Sequence, residues 1–155
     1  MNSFSLGMLM KFKEFVDKAN EMEPIKYIVV RGNGKNFTSG NDLNNFTNGD
    51  LLELADMRTV TKWVSLIVQE FVESVIKSRK PIFSLVDGKA IGFGFTVLAL
   101  FDKNFVTEKS SYMAPLVKLA QGPEMCSSYT FPKIFGKTLA EDLLIQGKWI
   151  QGKDL

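Results

Sequence analysis

The sequence predicts an α/β domain, and three observations carry that reading. Short β-branched runs alternate with amphipathic helical stretches, the strand runs are almost continuously apolar, and a glycine-bearing turn follows two of them. Alternation of this kind assembles parallel strands under a cover of helices, and continuous apolarity suits strands buried on both faces. A chain of 155 residues with 45% apolar and 23% charged side chains has the balance of one globular unit with one core. A single domain over residues 1–155 is therefore expected.

Each element has its own signal. Residues 4–22 are expected to be helical because Phe4, Met8, Phe12, Phe15 and Ala19 recur at three- and four-residue intervals, with Ser3 or Ser5 placed to cap the start. Pro24 closes this helix. Tyr27, Ile28, Val29 and Val30 form a buried strand that runs into the turn Arg31-Gly32-Asn33-Gly34. Residues 35–50 are dense in Asn, Gly, Ser and Thr, which bond their own backbone and favour loops and caps. Residues 56–77 carry Val60, Trp63, Val64, Ile67, Val68, Phe71, Val72 and Val75 on one side and form a second helix, stopped before Arg79-Lys80-Pro81. Residues 82–86 are a second strand, Asp87-Gly88 a turn, and residues 90–100 a glycine-opened entry into a buried helix. A third strand over 102–107 precedes helical stretches at 124–135 and 139–146, with Gly136 and Gly147 as stops. No internal repeat, low-complexity segment or linker interrupts the pattern.

Composition removes several function classes. A net charge of +2 supplies no electrostatic case for a nucleic-acid partner. The lone cysteine, Cys126, rules out an internal disulfide framework. With no histidine, the usual zinc clusters and any Ser-His or Cys-His pair are ruled out too, so no metal site is expected. No apolar run reaches the ~18 residues of a membrane span. Lys11 and Lys13 amid helically spaced apolar residues have the look of a mitochondrial presequence, but Glu14, Asp17 and Glu21 oppose it, and an amphipathic surface helix is the reading retained. Acid–base chemistry falls to carboxylates, lysines or tyrosines.

Two turns stand where chemistry could be built: residues 38–43, Thr-Ser-Gly-Asn-Asp-Leu, after the first strand, and residues 90–96, Ala-Ile-Gly-Phe-Gly-Phe-Thr, after the second. Taken singly, each can be a tight turn that needs glycine for its geometry. If the two converged, their unpaired N–H groups would make a pocket for developing negative charge.

Residues 27–43 (YIVVRGNGKNFTSGNDL), residues 80–102 (KPIFSLVDGKAIGFGFTVLALFD) and residues 111–150 resemble, in order, spacing and flanks, the crotonase (enoyl-CoA hydratase/isomerase) superfamily over nearly the whole chain. The resemblance implies an α/β crotonase (ClpP-like) spiral fold of repeated β-β-α units. It also implies a fold incomplete at both termini, since the chain begins where the family enters its first helix and ends at the start of another. The implied chemistry is a thioester whose carbonyl accepts the backbone N–H groups of Asn41 and Phe93, in a substrate site formed by Ser39, Gly40, Asn41, Asp42, Leu43 and Gly92. Two such donors stabilise a thioester enolate, each by about 3 kcal/mol. Coenzyme A enters as part of the acyl-CoA substrate, with no separate cofactor. The family further implies a homo-oligomer, a trimer, and a peroxisomal or mitochondrial location.

Hydratases of this family use two glutamates, and the corresponding positions here are Thr96 and Leu116, neither of which moves a proton at neutral pH. A standard hydratase is disfavoured. Glu124, within Gln121-Gly-Pro-Glu-Met-Cys-Ser-Ser128, is similar in position to the single glutamate of the Δ3,Δ2-enoyl-CoA isomerase branch. The implied reaction removes a proton from C2 of a 3-enoyl thioester and returns it at C4 of the dienolate, so one carboxylate suffices. From the residues alone, Glu124 is also an acidic residue following Pro123 in a first helical turn, where it would stabilise the helix dipole. Leu119, Met125 and Phe131 around it would raise its pKa. Glu108 and Glu141 read as solvated charges, and Cys126 as a small buried filler without a role. Alternatives left open are a non-catalytic acyl-CoA-binding or assembly protein, and a hydratase or hydrolase of the same fold.

Overall fold

A computed structural model describes residues 2–42, 44–47 and 56–155. Its strands fall into two sheets, and from the second strand to the fifth the chain alternates between them. The first sheet holds β1 (Ile28–Arg31), β2 (Ile82–Val86) and β4 (Lys103–Val106), all parallel, with Ile28 opposite Ile82 and Phe83 opposite Lys103. The second holds β3 (Lys89–Ile91) and β5 (Ser111–Met113) in parallel, with β6 (Ile150–Gln151) antiparallel to β5. An isolated parallel bridge between Thr38 and Ala90 continues the second sheet beyond β3.

This alternation is a β-β-α spiral. β1 and the Thr38 bridge lead to α2 (Asn44–Thr47) and α3 (Met57–Ile76). β2 and β3 lead to α4 (Phe93–Thr96), which continues as a 3₁₀ turn over Val97–Leu100. β4 and β5 lead to α5 (Ser127–Phe135) and α6 (Lys137–Leu144). Ahead of the first unit stands α1 (Leu6–Glu21), packed along α3.

The boundaries follow local chemistry. Ser5, not Ser3, caps α1, its hydroxyl accepting the Met8 N–H at 3.2 Å. Phe4, expected inside this helix, lies outside it and forms a parallel bridge with Asn41. Asp56 caps α3 by accepting the Thr59 N–H at 3.0 Å. The strands β3, β5 and β6 were not expected. They are two or three residues long, too short to show a period, and exist because the spiral brings them side by side. The expected buried helix over 90–100 is split by Gly92 into β3 and α4. α5 begins at Ser127 instead of residue 124, because Met125 and Cys126 adopt left-handed backbone at φ 51° and 57°.

Among the described residues most of the buried apolar side chains form a cluster running from Phe4 through the strands to Ile150, with Val60 and Val64 of α3 outside it. An aromatic chain organises its middle: Phe12 meets Phe71 at 5.2 Å between ring centres, Phe71 meets Phe93 at 5.6 Å, and Phe93 meets Phe4 at 4.8 Å. Burying each of these rings stabilises the fold by about 2–3 kcal/mol and ties the start of α4 to both long helices. The ion pairs Lys13–Asp17 and Lys77–Glu73, both 2.8 Å, lie on exposed helix faces and add little.

Candidate active site

The Thr38 bridge puts the first glycine turn against the second. Thr38 donates its N–H to the Lys89 carbonyl at 3.0 Å and accepts the Ile91 N–H at 3.2 Å. Its hydroxyl then accepts the Gly40 N–H at 3.0 Å, folding the chain over toward β3. Gly40 sits at φ +89°, and a Cβ there would lie 2.5 Å from the Ile91 carbonyl oxygen and 3.6 Å from the Phe93 nitrogen. Only glycine permits this approach. Gly92, at φ +55°, makes the matching turn at the start of α4, and its N–H is held by the Met113 carbonyl at 2.8 Å.

Between the turns lies a cavity of about 140 Å³ lined by Ser39, Gly40, Asn41, Ile91, Gly92, Phe93, Pro115, Leu116, Leu119, Gln121 and Glu124. Phe93 is the first residue of α4, so its N–H has no carbonyl within the helix to bond. The Phe4 bridge engages the Gly40 carbonyl and the Asp42 N–H, the two groups flanking the Asn41 amide. Among the described residues neither the Asn41 N–H nor the Phe93 N–H has an acceptor.

Glu124 is the titratable side chain in this lining. Burial pushes its carboxyl from the ordinary 4.5 up to about 7, with no charged neighbour contributing to the shift. It is carried by an irregular turn, bounded by left-handed Ala120 on one side and left-handed Met125 and Cys126 on the other. The Ser127 N–H bonds the Glu124 carbonyl at 2.9 Å and closes the turn. Glu124 therefore precedes the helix, and its side chain faces the cavity instead of serving as a first-turn charge. Of the three apolar residues expected around Glu124, Leu119 lines the cavity and is half exposed at its rim, whereas Met125 and Phe131 are buried but do not line it. Cys126 is exposed, which corrects its reading as a buried filler: in the left-handed region its side chain is directed away from the core. Glu108 and Glu141 lie on the surface.

Thr96 and Leu116, the two positions that the resemblance aligns with hydratase glutamates, are buried. Thr96 is 0% exposed, with its hydroxyl donated to the carbonyls of Gly92 and Phe93 at 3.3 and 3.2 Å. Leu116 is 2% exposed and forms an apolar wall of the cavity.

Of the residues assigned to the site from sequence, Ser39, Gly40, Asn41, Gly92, Phe93 and Glu124 meet at this cavity. Asp42 does not line it: its carboxylate accepts the Asn44 N–H at 3.1 Å and the Ser3 hydroxyl at 2.9 Å, which hold it below the usual carboxylate range. Leu43 lies outside the described residues. Pro115, Leu116, Leu119 and Gln121 were not assigned, since nothing in a short stretch after a third strand marks it as facing two distant glycine turns. A larger cavity of about 330 Å³ lies between α1 and β1, lined by Met8, Phe12, Phe15, Val30 and Phe37 among others. It holds no carboxylate and, of the two glycine turns, only Thr38, so the chemistry points to the smaller one. Among the described residues no group of carboxylates and cysteine could hold a metal ion, and no helix is long and apolar enough to cross a membrane.

The family model described as enoyl-CoA hydratase/isomerase matches residues 1–155. The peroxisomal enoyl-CoA delta isomerase 3 of Mus musculus is 42% identical over 132 residues, covering 80% of this chain and 40% of that protein. Enoyl-CoA delta isomerase 2 of Homo sapiens is 39% identical over 120 residues, covering 77% and 30%. The human testis-specific chromodomain protein Y 1 is 32% identical over 151 residues, covering 92% and 26%. The chain thus spans well under half the length of these relatives. An enoyl-CoA hydratase from Polaromonas sp. JS666 superposes with a TM-score of 0.85 at 18% identity, covering 97% of this chain and 57% of that one, a likeness of fold. The β-β-α spiral is the crotonase fold, represented over part of its length.

Proposed function

Because the chain belongs to the enoyl-CoA hydratase/isomerase family, we propose that it binds acyl-CoA thioesters and shifts the double bond of a 3-enoyl-CoA to the 2-trans position. The observation that carries the reading is Glu124: a single carboxyl raised to about 7 by burial, set in the cavity between the two glycine turns. The thioester oxygen accepts the N–H groups of Asn41 and Phe93, which polarise the carbonyl and make the C2 proton more acidic. Ionised Glu124 takes that proton, the charge spreads over the dienolate from the thioester oxygen to C4, and the same carboxyl returns a proton at C4. Each donor stabilises the enolate by about 3 kcal/mol. A pKa near the working pH suits a group that must both take and give a proton. No group at Thr96 or Leu116 can activate water, which favours a proton shift over hydration.

Mass analysis of the product tests this directly. The expected product has the mass of the substrate and the absorbance of a conjugated 2-enoyl thioester. Addition of one water would instead indicate a hydratase, and release of free CoA a hydrolase. Kinship with a protein named for its chromodomain and not for a reaction favours a second reading, a non-catalytic acyl-CoA-binding protein. It predicts binding of acyl-CoA without turnover. By kinship with the peroxisomal enoyl-CoA delta isomerase 3 and by membership of the family we place the protein in the peroxisome or mitochondrion and expect it to assemble as a homo-oligomer.

A further inference from the structure

Asn45 takes no part in the chemistry above, yet it is buried and its carboxamide makes three hydrogen bonds, two to the stretch from Phe4 to Leu6 and one to Asn41. Its oxygen accepts the Leu6 N–H at 3.1 Å, at the start of α1. Its nitrogen donates to the Phe4 carbonyl at 2.9 Å and to the Asn41 Oδ1 at 2.6 Å. Phe4 is in turn the residue bridged to Asn41: its N–H donates to the Gly40 carbonyl at 2.8 Å and its carbonyl accepts the Asp42 N–H at 3.0 Å. The Phe4 ring packs on the Phe93 ring at 4.8 Å. A single buried amide therefore grips Asn41 through its side chain, grips the strand that pairs around Asn41, and through the Phe4 ring reaches Phe93.

We propose that Asn45 is a positioning residue that sets the spacing of the Asn41 and Phe93 N–H donors, with Phe4 as the spacer between them; this rests on the reading of those amides as the thioester oxyanion site. The side chain of Asn41 acquires a role of its own. It does not touch the substrate oxygen, but it anchors the loop that presents its own N–H. Asp42 belongs to the same device, since its carboxylate caps the start of α2, the short helix that carries Asn45. A hydrogen-bonded donor displaced by a fraction of an ångström loses more in a transition state than in a ground state, because the charge it serves develops only there.

The test uses Asn45→Ala and Asn41→Ala, with butanoyl-CoA as a non-reacting probe. Infrared difference spectroscopy reads the thioester carbonyl stretch, which moves to lower wavenumber when both donors engage it. In the wild type a downshift is expected on binding. In both variants it should revert toward the free-thioester position, with 3-enoyl-CoA turnover lower by on the order of ten- to a hundredfold. Affinity for CoA itself, which has no acyl carbonyl, should be unchanged. Thermal unfolding of each variant separates lost stability from lost alignment. A lower melting temperature with the carbonyl shift and turnover retained would overturn the proposal and leave Asn45 as a structural amide. Asn41→Ala leaves the Asn45 amide in place, so it serves even if Asn45→Ala does not fold. Absence of a downshift in the wild type would instead sink the oxyanion reading beneath it.

Discussion

Glu124→Gln keeps the shape of the side chain while removing its charge and its capacity to take a proton. In the wild type, burial holds this carboxyl at about 7 in place of 4.5. Each tenfold change in an acid constant corresponds to about 1.4 kcal/mol, so folding opposes the ionised form by about 3 kcal/mol. The sign follows from proton counting. Between pH 4.5 and about 7 the folded chain retains a Glu124 proton that the unfolded chain has released, so stability falls as pH rises through this window and levels off above it. The glutamine variant has no such term. In urea unfolding from about pH 5 to about pH 9, the variant should gain steadily on the wild type until about pH 8. The gain approaches about 3 kcal/mol, less whatever the buried amide loses by lacking a partner. In melting temperature this is on the order of 6–12 °C for a chain of this size. Turnover of 3-enoyl-CoA should disappear in the variant, and in the wild type it should rise with pH through about 7 as the base ionises. Stability curves that run parallel across the whole range would refute the buried, uncompensated carboxyl. Undiminished turnover in the variant would remove Glu124 from the mechanism.

Three further outcomes follow from particular contacts. Gly94→Ala would place a Cβ 1.8 Å from the Thr38 Cγ2, and Thr38 cannot rotate without releasing the Gly40 N–H, so a loss of about 1–3 kcal/mol in denaturant unfolding should accompany reduced turnover. Thr96→Glu, which installs the glutamate that the family resemblance places here in hydratases, should not produce hydration. The site is fully buried with its hydroxyl spent on two backbone carbonyls, and a melting temperature lower by several degrees with no hydrated product is expected. Cys126→Asn should leave turnover unchanged and unfolding free energy equal or higher by up to about 1 kcal/mol, because asparagine tolerates the left-handed backbone at φ 57° better than cysteine does. Loss of activity in that variant would give the exposed thiol a role it lacks here.

Much of the molecule is legible in its residue order, and the reasons differ from place to place. The helix at Met57–Ile76 was legible because a twenty-residue amphipathic stripe and a capping aspartate leave little else for the segment to do. Strands β1 and β2 were legible as apolar β-branched or aromatic runs between turn residues, and β4, with only Phe105 and Val106 apolar, by its place after them. β3, β5 and β6 were not, since two or three residues carry no period and are strands only by virtue of their neighbours. The start of α5 was misplaced because nothing local announces that Met125 and Cys126 take up left-handed backbone.

The two glycine turns, Glu124, and the presence of Thr96 and Leu116 at the places the resemblance pairs with hydratase carboxylates were determined by the sequence alone, because each is a matter of which residue stands at which place along a pattern. Their meeting was decided only in three dimensions. That the Gly40 backbone packs against the turn leading to Phe93, and that Glu124 is largely withdrawn from water between them, depend on contacts between stretches of chain far apart in sequence. Burial and hydrogen-bond partnership are properties of what surrounds a group, and a linear pattern cannot supply the surroundings. Asn45 is the clearest case: an unremarked polar residue in a loop-like stretch, it becomes a buried link between the two donor turns once Phe4 and Asn41 are folded against it.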